Sequence, residues 1–287
     1  MGSEPWRILS TQHSELSTFL SMTLAVVTVH YQNPSLTQRF IDSVTDCFIV
    51  QKVVVVSHDS FVMPSGGKLE FLQQTNLGYA AGLNRALELV MSQKIQTVLA
   101  ANPDVLLNCK VIEELLNEHQ KTGSACTFPV LSEQGRTIEG YRFGRFGSLQ
   151  ITKDPEWYSG ACFVFEVDAW KKAGGFDESF FHYFEDRDFC LRVRKQGAKI
   201  HQARSVLIVH ETKSGQDFIS GDLPKFAVRN HLVALQRSGL LNPISFLNVI
   251  ARHFLYLFRW QSPVRGISGW IHGIQEFLTG NDGGVVK

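Results

Sequence analysis

Short apolar, β-branched runs alternate with longer helical patterns along most of this chain, and that alternation limits its possible folds more than any other feature. The runs LAVVTVHY, KVVVVSH and TVLAANPD are continuously apolar, which is typical of strands covered on both faces. Helical patterns lie between and after them, at about residues 36–44, 77–93 and 109–121. Strands alternating with helices predict right-handed crossovers, so we expect an α/β fold with a doubly wound, Rossmann-like, mostly parallel sheet flanked by helices.

The pattern changes after about residue 138, where glycine and aromatic residues become frequent in GYRFGRFGSLQ. Further strands follow in SGACFVFEV and SVLIVH, and strand patterns end at Glu211. Three helical stretches remain, at about 224–240, 243–260 and 264–279. We therefore divide the chain into an N-terminal extension (1–21), an α/β domain (22–223) and a C-terminal helical region (224–287).

Composition and charge limit the classes of protein to which this chain can belong. The chain has 287 residues, 44% of them hydrophobic, and its net charge of +1 provides no global field that would attract nucleic acid. Basic charge is concentrated from Lys225 onward, where seven Lys or Arg residues accompany two acids. Five scattered cysteines without a CxxC pair argue against a disulfide framework and for a reducing compartment. The first residues do not resemble a secretion signal, and we predict a cytoplasmic protein.

The second C-terminal helical stretch is amphipathic. A helical wheel groups six apolar residues on one side, namely Phe246, Leu247, Ile250, Phe254, Leu257 and Phe258. The opposite side carries Asn248, Arg252 and Arg259. The stretch is too short to span a bilayer, but a basic amphipathic helix near Tyr256 and Trp260 suits a membrane interface. The alternative is that the apolar side packs on the α/β domain.

Three acidic residues begin another predicted helix, in the stretch HYFEDRDFCLR. Glu185, Asp186 and Asp188 occupy its first turn, where the positive end of the helix dipole stabilises carboxylates. An ordinary helix start would explain them, with Asp188 and Arg192 as an ion pair four residues apart and Gly197 as the stop. A carboxylate pair placed for chemistry is the other interpretation.

A second polar group ends an apolar strand. In LAANPD, Asn102 and Asp104 follow the strand, and ligands of doubly wound sheets bind beyond the carboxyl ends of the strands. Asn-Pro-Asp is also a good turn. If these residues meet Glu185 and Asp186, one carboxylate can hold a divalent cation and another can act as general base. His210, at the end of SVLIVH, is a further metal candidate, with a structural histidine as the alternative.

These segments together resemble the family 2 glycosyltransferases of the GT-A fold. The resemblance covers about residues 24–212 and rests on VVTVHYQN, NLGYAAGLNRAL, LAANPD, SGACFVFEVDAWKKAGGFDESFFHYFEDRDFCLRVRKQG and LIVHE, in the family's order and spacing. It implies a nucleotide-diphosphate-sugar donor, a divalent cation (Mg²⁺ or Mn²⁺) and inversion at the anomeric carbon by direct displacement. A C-terminal helical extension would follow the GT-A domain.

The resemblance also assigns roles to single residues. Asp104 matches the last acid of the family's metal-binding Asp-x-Asp motif, and His210 matches a histidine that completes the metal site. Asn102 stands where the first acid usually is, a form similar to the rhamnosyltransferase-like branch.

On the acceptor side, Asp186 matches the base that deprotonates the attacking hydroxyl, with Glu185 beside it as a supporting or acceptor-binding group. Gly160 and Ala161 match the segment that lines the acceptor.

The residues expected to bind the donor match the family less completely than those on the acceptor side. The resemblance implies donor contacts for Thr28, His30, Asp59, Gly78, Asn84, Arg85, Asn102 and Asp104. Gly78 and Gly82 would permit close approach of the backbone to the nucleotide, or alternatively close packing of a helix on the sheet. The family usually has an Asp-Asn pair after the second strand, but here Ser57 and His58 stand there, and Asp59 follows one position later.

The resemblance therefore implies an inverting hexosyltransferase of bacterial surface polysaccharide synthesis, and the basic amphipathic C-terminal stretch predicts that it is peripheral at the inner face of the cytoplasmic membrane. The favoured donor is dTDP-rhamnose, followed by a UDP-sugar, and the acceptor is a glycan or lipid-linked glycan. A non-catalytic protein that binds sugar nucleotides or glycans is the alternative. The Ser57-His58 departure favours it, whereas the presence of both Asp104 and Asp186 opposes it. A nucleotidyltransferase would typically carry a basic, glycine-rich loop after the first strand, unlike VHYQNPS.

Overall fold

The computed structural model describes residues 23–211, 223–258 and 263–280. The strands are β1 (Leu24–His30), β2 (Val50–Ser57), β3 (Leu69–Gln73), β4 (Thr97–Ala101), β5 (Val105–Leu106), β6 (Cys126–Glu133), β7 (Arg136–Ile138), β8 (Tyr141–Phe143), β9 (Leu149–Ile151), β10 (Cys162–Glu166) and β11 (Ile200–His210). The helices are α1 (Pro34–Thr45), α2 (Tyr79–Ser92), α3 (Cys109–Thr122), α4 (Val167–Ala173), α5 (Glu185–Lys195), α6 (Leu223–Arg237), α7 (Pro243–Leu257) and α8 (Pro263–Thr279). The predicted extension 1–21, and Arg259 and Trp260, lie outside the described residues.

A mostly parallel sheet forms the centre of the α/β domain, as the alternating pattern predicts. Within the described residues, nine strands run in the order β3-β2-β1-β4-β10-β6-β11-β5, with β7 beside β6. β1 is fully buried, and its alternate residues enter two separate hydrophobic clusters. Ala25 and Val27 face one cluster, whereas Leu24 and Val26 face the other. Both faces of the sheet are therefore covered, which explains why β1 is continuously apolar.

β10 departs from a purely doubly wound sheet, in which all strands are parallel. It is antiparallel to both of its neighbours, β4 and β6. Its first residue, Cys162, pairs with Ala101 at the end of β4, and the Asn102 N–H donates to the Ala161 carbonyl at 2.8 Å. The antiparallel direction thus brings the segment before β10 to the carboxyl end of β4.

Gly82 in α2 lies where the helix crosses the sheet. A Cβ at this position would lie 2.8 Å from a Val29 methyl carbon and 3.0 Å from Nε2 of His58. Of the two alternatives for this glycine, close helix–sheet packing is therefore the one that the structure supports.

The three C-terminal helices, α6, α7 and α8, begin and end within three residues of their predicted limits. In α7, Phe246 packs against the core and Leu257 is buried. By contrast, Ile244, Leu247 and Phe258 are 61%, 65% and 69% exposed. Packing on the rest of the protein therefore covers only some of the apolar residues in and next to α7 and leaves the others exposed. Across the described ranges, no helix is both long and apolar enough to cross a membrane.

A disulfide joins Cys47, just after α1, to Cys109, the first residue of α3. Their Cα atoms are 4.9 Å apart although 62 positions separate them in sequence. The expectation that the cysteines are all reduced is wrong for this pair, because only the tertiary fold brings the two residues together. Cys126, Cys162 and Cys190 are free and buried.

Candidate active site

A cavity of about 850 Å³ opens next to the carboxyl end of β4 and the end of β11. It brings together seven of the predicted site residues, namely Asn102, Asp104, Gly160, Ala161, Glu185, Asp186 and His210. Helices α6 and α7 contribute another part of its wall, including Arg252 and Tyr256. The segments that carry the predicted metal, base and acceptor residues therefore converge on one site.

Asp104 meets His210 because β5 pairs with the end of β11. Val105 is the register partner of His210, and the Glu211 N–H donates to the Asp104 carbonyl at 2.8 Å. Nε2 of His210 lies 3.1 Å from Asp104 Oδ1, and its Nδ1 lies 2.8 Å from Glu133 Oε1. Burial lowers the pKa of His210, but the two carboxylates more than offset this and raise the pKa to about 9. The imidazole therefore holds a proton at neutral pH.

The polar atoms at this end of the cavity are of the kind that can bind a divalent cation. Oδ1 of Asn102 is buried and accepts no hydrogen bond from the described part of the chain, and Oδ1 of Asp104 is buried against Nε2 of His210. The described residues contain no cluster of three or more Asp, Glu, His or Cys that could hold a metal alone. Asp104 and His210 would thus supply two ligands, and phosphate oxygens and water the others, as is common for Mg²⁺. His210 must lose its proton to bind a metal.

Asp186 lies in the first turn of α5, where backbone N–H groups hold both of its carboxylate oxygens. The Gly160 N–H donates to Oδ2 at 2.8 Å, and the Arg187 N–H donates to Oδ1 at 2.6 Å. A Cβ at position 160 would lie 2.9 Å from the Asp186 Cβ, so this close approach requires glycine. The acidic first turn of α5, which an ordinary helix start would also explain, therefore holds the Asp186 carboxylate at a fixed position in the cavity.

The neighbouring carboxyl of Glu185 has a different environment. Glu185 is 8% exposed, and its Oε2 has no hydrogen-bond partner within the described residues. Burial, and then the charge of Asp186, raise the pKa of Glu185. Burial also raises the pKa of Asp186, but the N–H groups of Gly160 and Arg187 oppose that shift. Asp186 is therefore the stronger acid of the pair, which makes it the better general base at neutral pH.

Three predicted donor residues cluster at the ends of β1 and β2, outside the residues that line the cavity. Thr28 and His30 are fully buried, and their predicted contact with the nucleotide stays a prediction. The central position of β1 explains this burial, because both faces of the strand are covered. Asp59 is engaged locally, since its carboxylate accepts the Gln32 and Phe61 N–H groups and lies 3.2 Å from His30.

Asn84 is engaged in structural contacts, and its assignment to the nucleotide stays a prediction. Its Oδ1 accepts the Trp170 Nε1–H and the Phe176 N–H at 3.0 and 2.9 Å. Its Nδ2 donates to the Phe176 carbonyl and to Glu178 at 2.9 and 2.8 Å. The amide is therefore fully used in joining α2 to the loop after α4.

The two remaining donor candidates also lie outside the cavity lining. Arg85 is exposed and pairs with Glu88 at 3.2 Å. Gly78 has a φ of +98°, and a Cβ there would lie 2.4 Å from the Phe181 carbonyl oxygen. The backbone that approaches Gly78 thus belongs to the loop before α5, not to a ligand.

Tyr79 is a cavity residue that the sequence did not indicate. Its hydroxyl is buried and has no hydrogen-bond partner in the described ranges. Burial raises the pKa of Tyr79 well above its usual value, and the charges of Glu185 and Asp104 add to that shift. Tyr79 therefore lies close to both acidic sites. Tyr79 lies within NLGYAAGLNRAL, but helical periodicity does not show which side chain of a first helical turn faces a ligand.

No protein-family model matches the chain. It is 28% identical over 248 residues to the low-salt glycan biosynthesis hexosyltransferase Agl10 of Haloferax volcanii, covering 77% of this chain and 78% of that protein. This likeness supports membership of a glycosyltransferase family.

Solved structures share the fold at low sequence identity. GalNAc-T7 with UDP, GalNAc and Mn²⁺ matches 75% of this chain at 13% identity and a TM-score of 0.59, although this chain spans only 48% of that protein. The Pyrobaculum calidifontis mannosyltransferase PcManGT, in complex with GDP-Man and Mn²⁺, matches 94% of this chain and 86% of its own at 13% identity (TM-score 0.53). S. aureus TarS 1–349 with UDP-GlcNAc matches 90% and 81% at 14% identity (TM-score 0.54). The fold is thus that of GT-A glycosyltransferases.

Proposed function

We propose that this chain is an inverting glycosyltransferase that moves a sugar from a nucleotide-diphosphate donor to an acceptor hydroxyl. The observation that carries the proposal is the convergence of two acidic sites on one cavity. Asp104 and His210 form one, and Asp186, held by two N–H groups, forms the other. A general base and a diphosphate site in one cavity are the groups that a single displacement at the anomeric carbon requires.

In the proposed reaction, Asp186 accepts the proton of the acceptor hydroxyl as the acceptor oxygen bonds to the anomeric carbon. The bond from that carbon to the diphosphate oxygen breaks, and the nucleoside diphosphate leaves with the electron pair. A divalent cation held by Asp104 and His210 would offset the charge that develops on the diphosphate. Glu185, which keeps its proton, can donate a hydrogen bond to the acceptor, and the Tyr79 hydroxyl is available to a substrate oxygen.

Replacement of the base tests this mechanism. The Asp186→Asn variant keeps an oxygen for one N–H donor but cannot accept the acceptor proton. It should lower the transfer rate by about 100- to 10,000-fold, the usual contribution of a general base. Donor affinity, measured by calorimetry, should stay near that of the wild type. Loss of donor affinity with little further effect on turnover would instead assign Asp186 to donor binding.

For the donor, we propose dTDP-rhamnose first and a UDP-sugar second, because Asn102 precedes Asp104 in the form of the rhamnosyltransferase-like branch. The similar proteins weigh toward other hexoses, since their structures contain GDP-Man or UDP-GlcNAc. Competition of dTDP, UDP and GDP for one site, with and without Mn²⁺, decides between these donors. Preference for GDP would reject both donors proposed here.

For the acceptor, we propose a lipid-linked glycan bound at the cytoplasmic face of a membrane, in surface polysaccharide synthesis. Leu255 and Tyr256 of α7 are 65% and 55% exposed and also line the cavity. Two exposed residues of α7 therefore reach the rim of the cavity. The α7 sequence, PISFLNVIARHFLYL, contains Arg252 and no acid, which suits an anionic lipid surface.

Vesicle binding tests the membrane proposal. The double variant Leu247→Glu, Phe258→Glu should lose co-sedimentation with vesicles that contain anionic lipid, because Leu247 is exposed on α7 and Phe258 is exposed directly after its last residue. Phe48→Glu is a matched control, since Phe48 is 71% exposed but lies just after α1. Equal binding of both variants would reject α7 as the membrane contact.

A non-catalytic sugar-nucleotide-binding protein is the second candidate. The observation that favours it is that the Asp59 carboxylate already accepts the Gln32 and Phe61 N–H groups. Asp59 is the candidate for the acid that contacts the donor nucleotide, and these local contacts occupy its carboxylate. Metal-dependent nucleotide binding without any transfer or donor hydrolysis would support this candidate.

A further inference from the structure

The turn immediately before the two catalytic carboxylates has an unusual backbone. Tyr183 and Phe184 both have a φ of +71°, although neither is glycine. Left-handed conformations of bulky residues are unfavourable and persist only where surrounding groups hold them. Because Glu185 and Asp186 follow directly, the conformation of this turn sets the position of both carboxyls.

Helix α6 holds the turn through a buried amide. Asn230 is fully buried, and its Nδ2 donates to the carbonyls of His182 and Tyr183 at 2.8 and 3.2 Å. Its Oδ1 accepts from Nη1 of Arg229 at 2.6 Å, and the same Nη1 donates to the Ser179 carbonyl at 2.8 Å. Both hydrogens of the Asn230 amide are therefore donated to backbone carbonyls of the turn.

Aromatic contacts of the residues on either side of Asn230 also hold the turn in place. Phe226, one helical turn earlier, stacks on Phe181 with ring centroids 4.4 Å apart. His231 lies 5.2 Å from the Phe184 ring. On the far side of the loop, the Tyr79 N–H donates to the Phe181 carbonyl at 2.9 Å. The loop is thus held between α6 and the start of α2.

We propose that Asn230 is a positioning residue for the reaction, holding the left-handed turn at 182–184 so that Asp186 meets the acceptor hydroxyl. This inference rests on the proposed function. It gives α6 a role in positioning the proposed base, through Asn230. Asn230 itself does not line the cavity, so its effect passes through the backbone to Asp186.

The test compares Asn230→Ala with a matched control on the same helix. Val228 is also fully buried in α6, but it packs toward α8, where a Cβ at Gly273 would lie 2.7 Å from it. Asn230→Ala should lower kcat by about 100-fold, the order expected for a displacement of about 1 Å of a reacting group, without changing donor affinity. Val228→Ala should lower Tm and leave kcat near wild type.

Two further readouts separate positioning from general loss of stability. In Asn230→Ala, the acid limb of the pH profile of kcat should move to higher pH. The reason is that a displaced Asp186 loses the Gly160 N–H, which opposes the upward shift of its pKa. Amide hydrogen exchange in peptides covering residues 179–188 should also be faster than in Val228→Ala. If Asn230→Ala does not fold, Phe226→Leu weakens the same grip through its contact with Phe181 and should give the same changes in smaller measure.

The outcomes are distinct. Equal losses of kcat in Asn230→Ala and Val228→Ala at equal loss of Tm, or unchanged exchange at 179–188, would overturn the positioning role. A wild-type protein without any transfer would reject the proposed function. In that case the exchange rates would still decide whether Asn230 holds the turn.

Discussion

Replacing Gly160 with alanine is expected to displace the Asp186 carboxylate while keeping every hydrogen-bonding group of the site. The added Cβ would lie 2.9 Å from the Asp186 Cβ. Carbon atoms in contact prefer a separation of about 3.5–4.0 Å, so the two groups must move apart by about 0.6–1.1 Å. Because the Gly160 N–H remains, the change is one of position and not of chemistry.

A misplacement of about 1 Å can cost about 100-fold in rate, so kcat should fall by about 10- to 100-fold. Donor affinity should not change, since Asn102 and Asp104 keep their places. The assay is initial-rate transfer with calorimetric donor binding on the same preparations. Gly66→Ala is the control, because a Cβ there meets nothing within 4 Å. Wild-type turnover by Gly160→Ala would refute the claim that Asp186 acts from the observed position.

Three other predictions follow from buried groups. Stability should fall below pH 6.5 by about 1–2 kcal/mol per histidine at pH 5, because burial lowers the pKa of several histidines and the unfolded chain takes up protons first. Their folded-state pKa values are about 4 for His58, His182 and His253 and about 3 for His231. Urea titrations at pH 5 and 7 check this, and equal midpoints would contradict it. Reduction of the Cys47–Cys109 bond should cost about 2–4 kcal/mol of stability, seen as a lower Tm in reductant, and no change in Tm would refute the pairing. Asn84→Ala should cost about 1–3 kcal/mol by leaving buried partners of the amide unpaired, while calorimetry finds donor affinity unchanged. Weaker donor binding would instead support its assignment to the nucleotide.

The parts of the fold that the sequence predicts are those encoded by local pattern. The apolar runs of β1 and β4 indicate strands covered on both faces, and the structure buries every residue of each. The acidic start of α5 and the Asp188–Arg192 pair were also expected, and the Nε of Arg192 lies 2.6 Å from Asp188. The limits of α6, α7 and α8 follow from helical periodicity in the same way.

The remainder depends on contacts between distant segments. Nothing in SGACFVFEV distinguishes an antiparallel strand from a parallel one, because side chains alternate in the same way in both directions. The resemblance implies that Thr28 and His30 contact the donor, but it does not show that coverage of β1 buries both side chains. The role of Asn230 was not foreseen, since it requires knowing that α6 lies beside residues 182–184.

The most direct test of the account is calorimetric titration of the wild type and Asp104→Ala with UDP, GDP and dTDP, with and without Mn²⁺. We expect the wild type to bind one of these nucleotides more tightly with Mn²⁺, since Asp104 and His210 would share the cation with the diphosphate. In Asp104→Ala, Mn²⁺ should no longer increase the affinity. Absence of nucleotide binding by the wild type, or a metal effect that persists in Asp104→Ala, would contradict the proposed donor site.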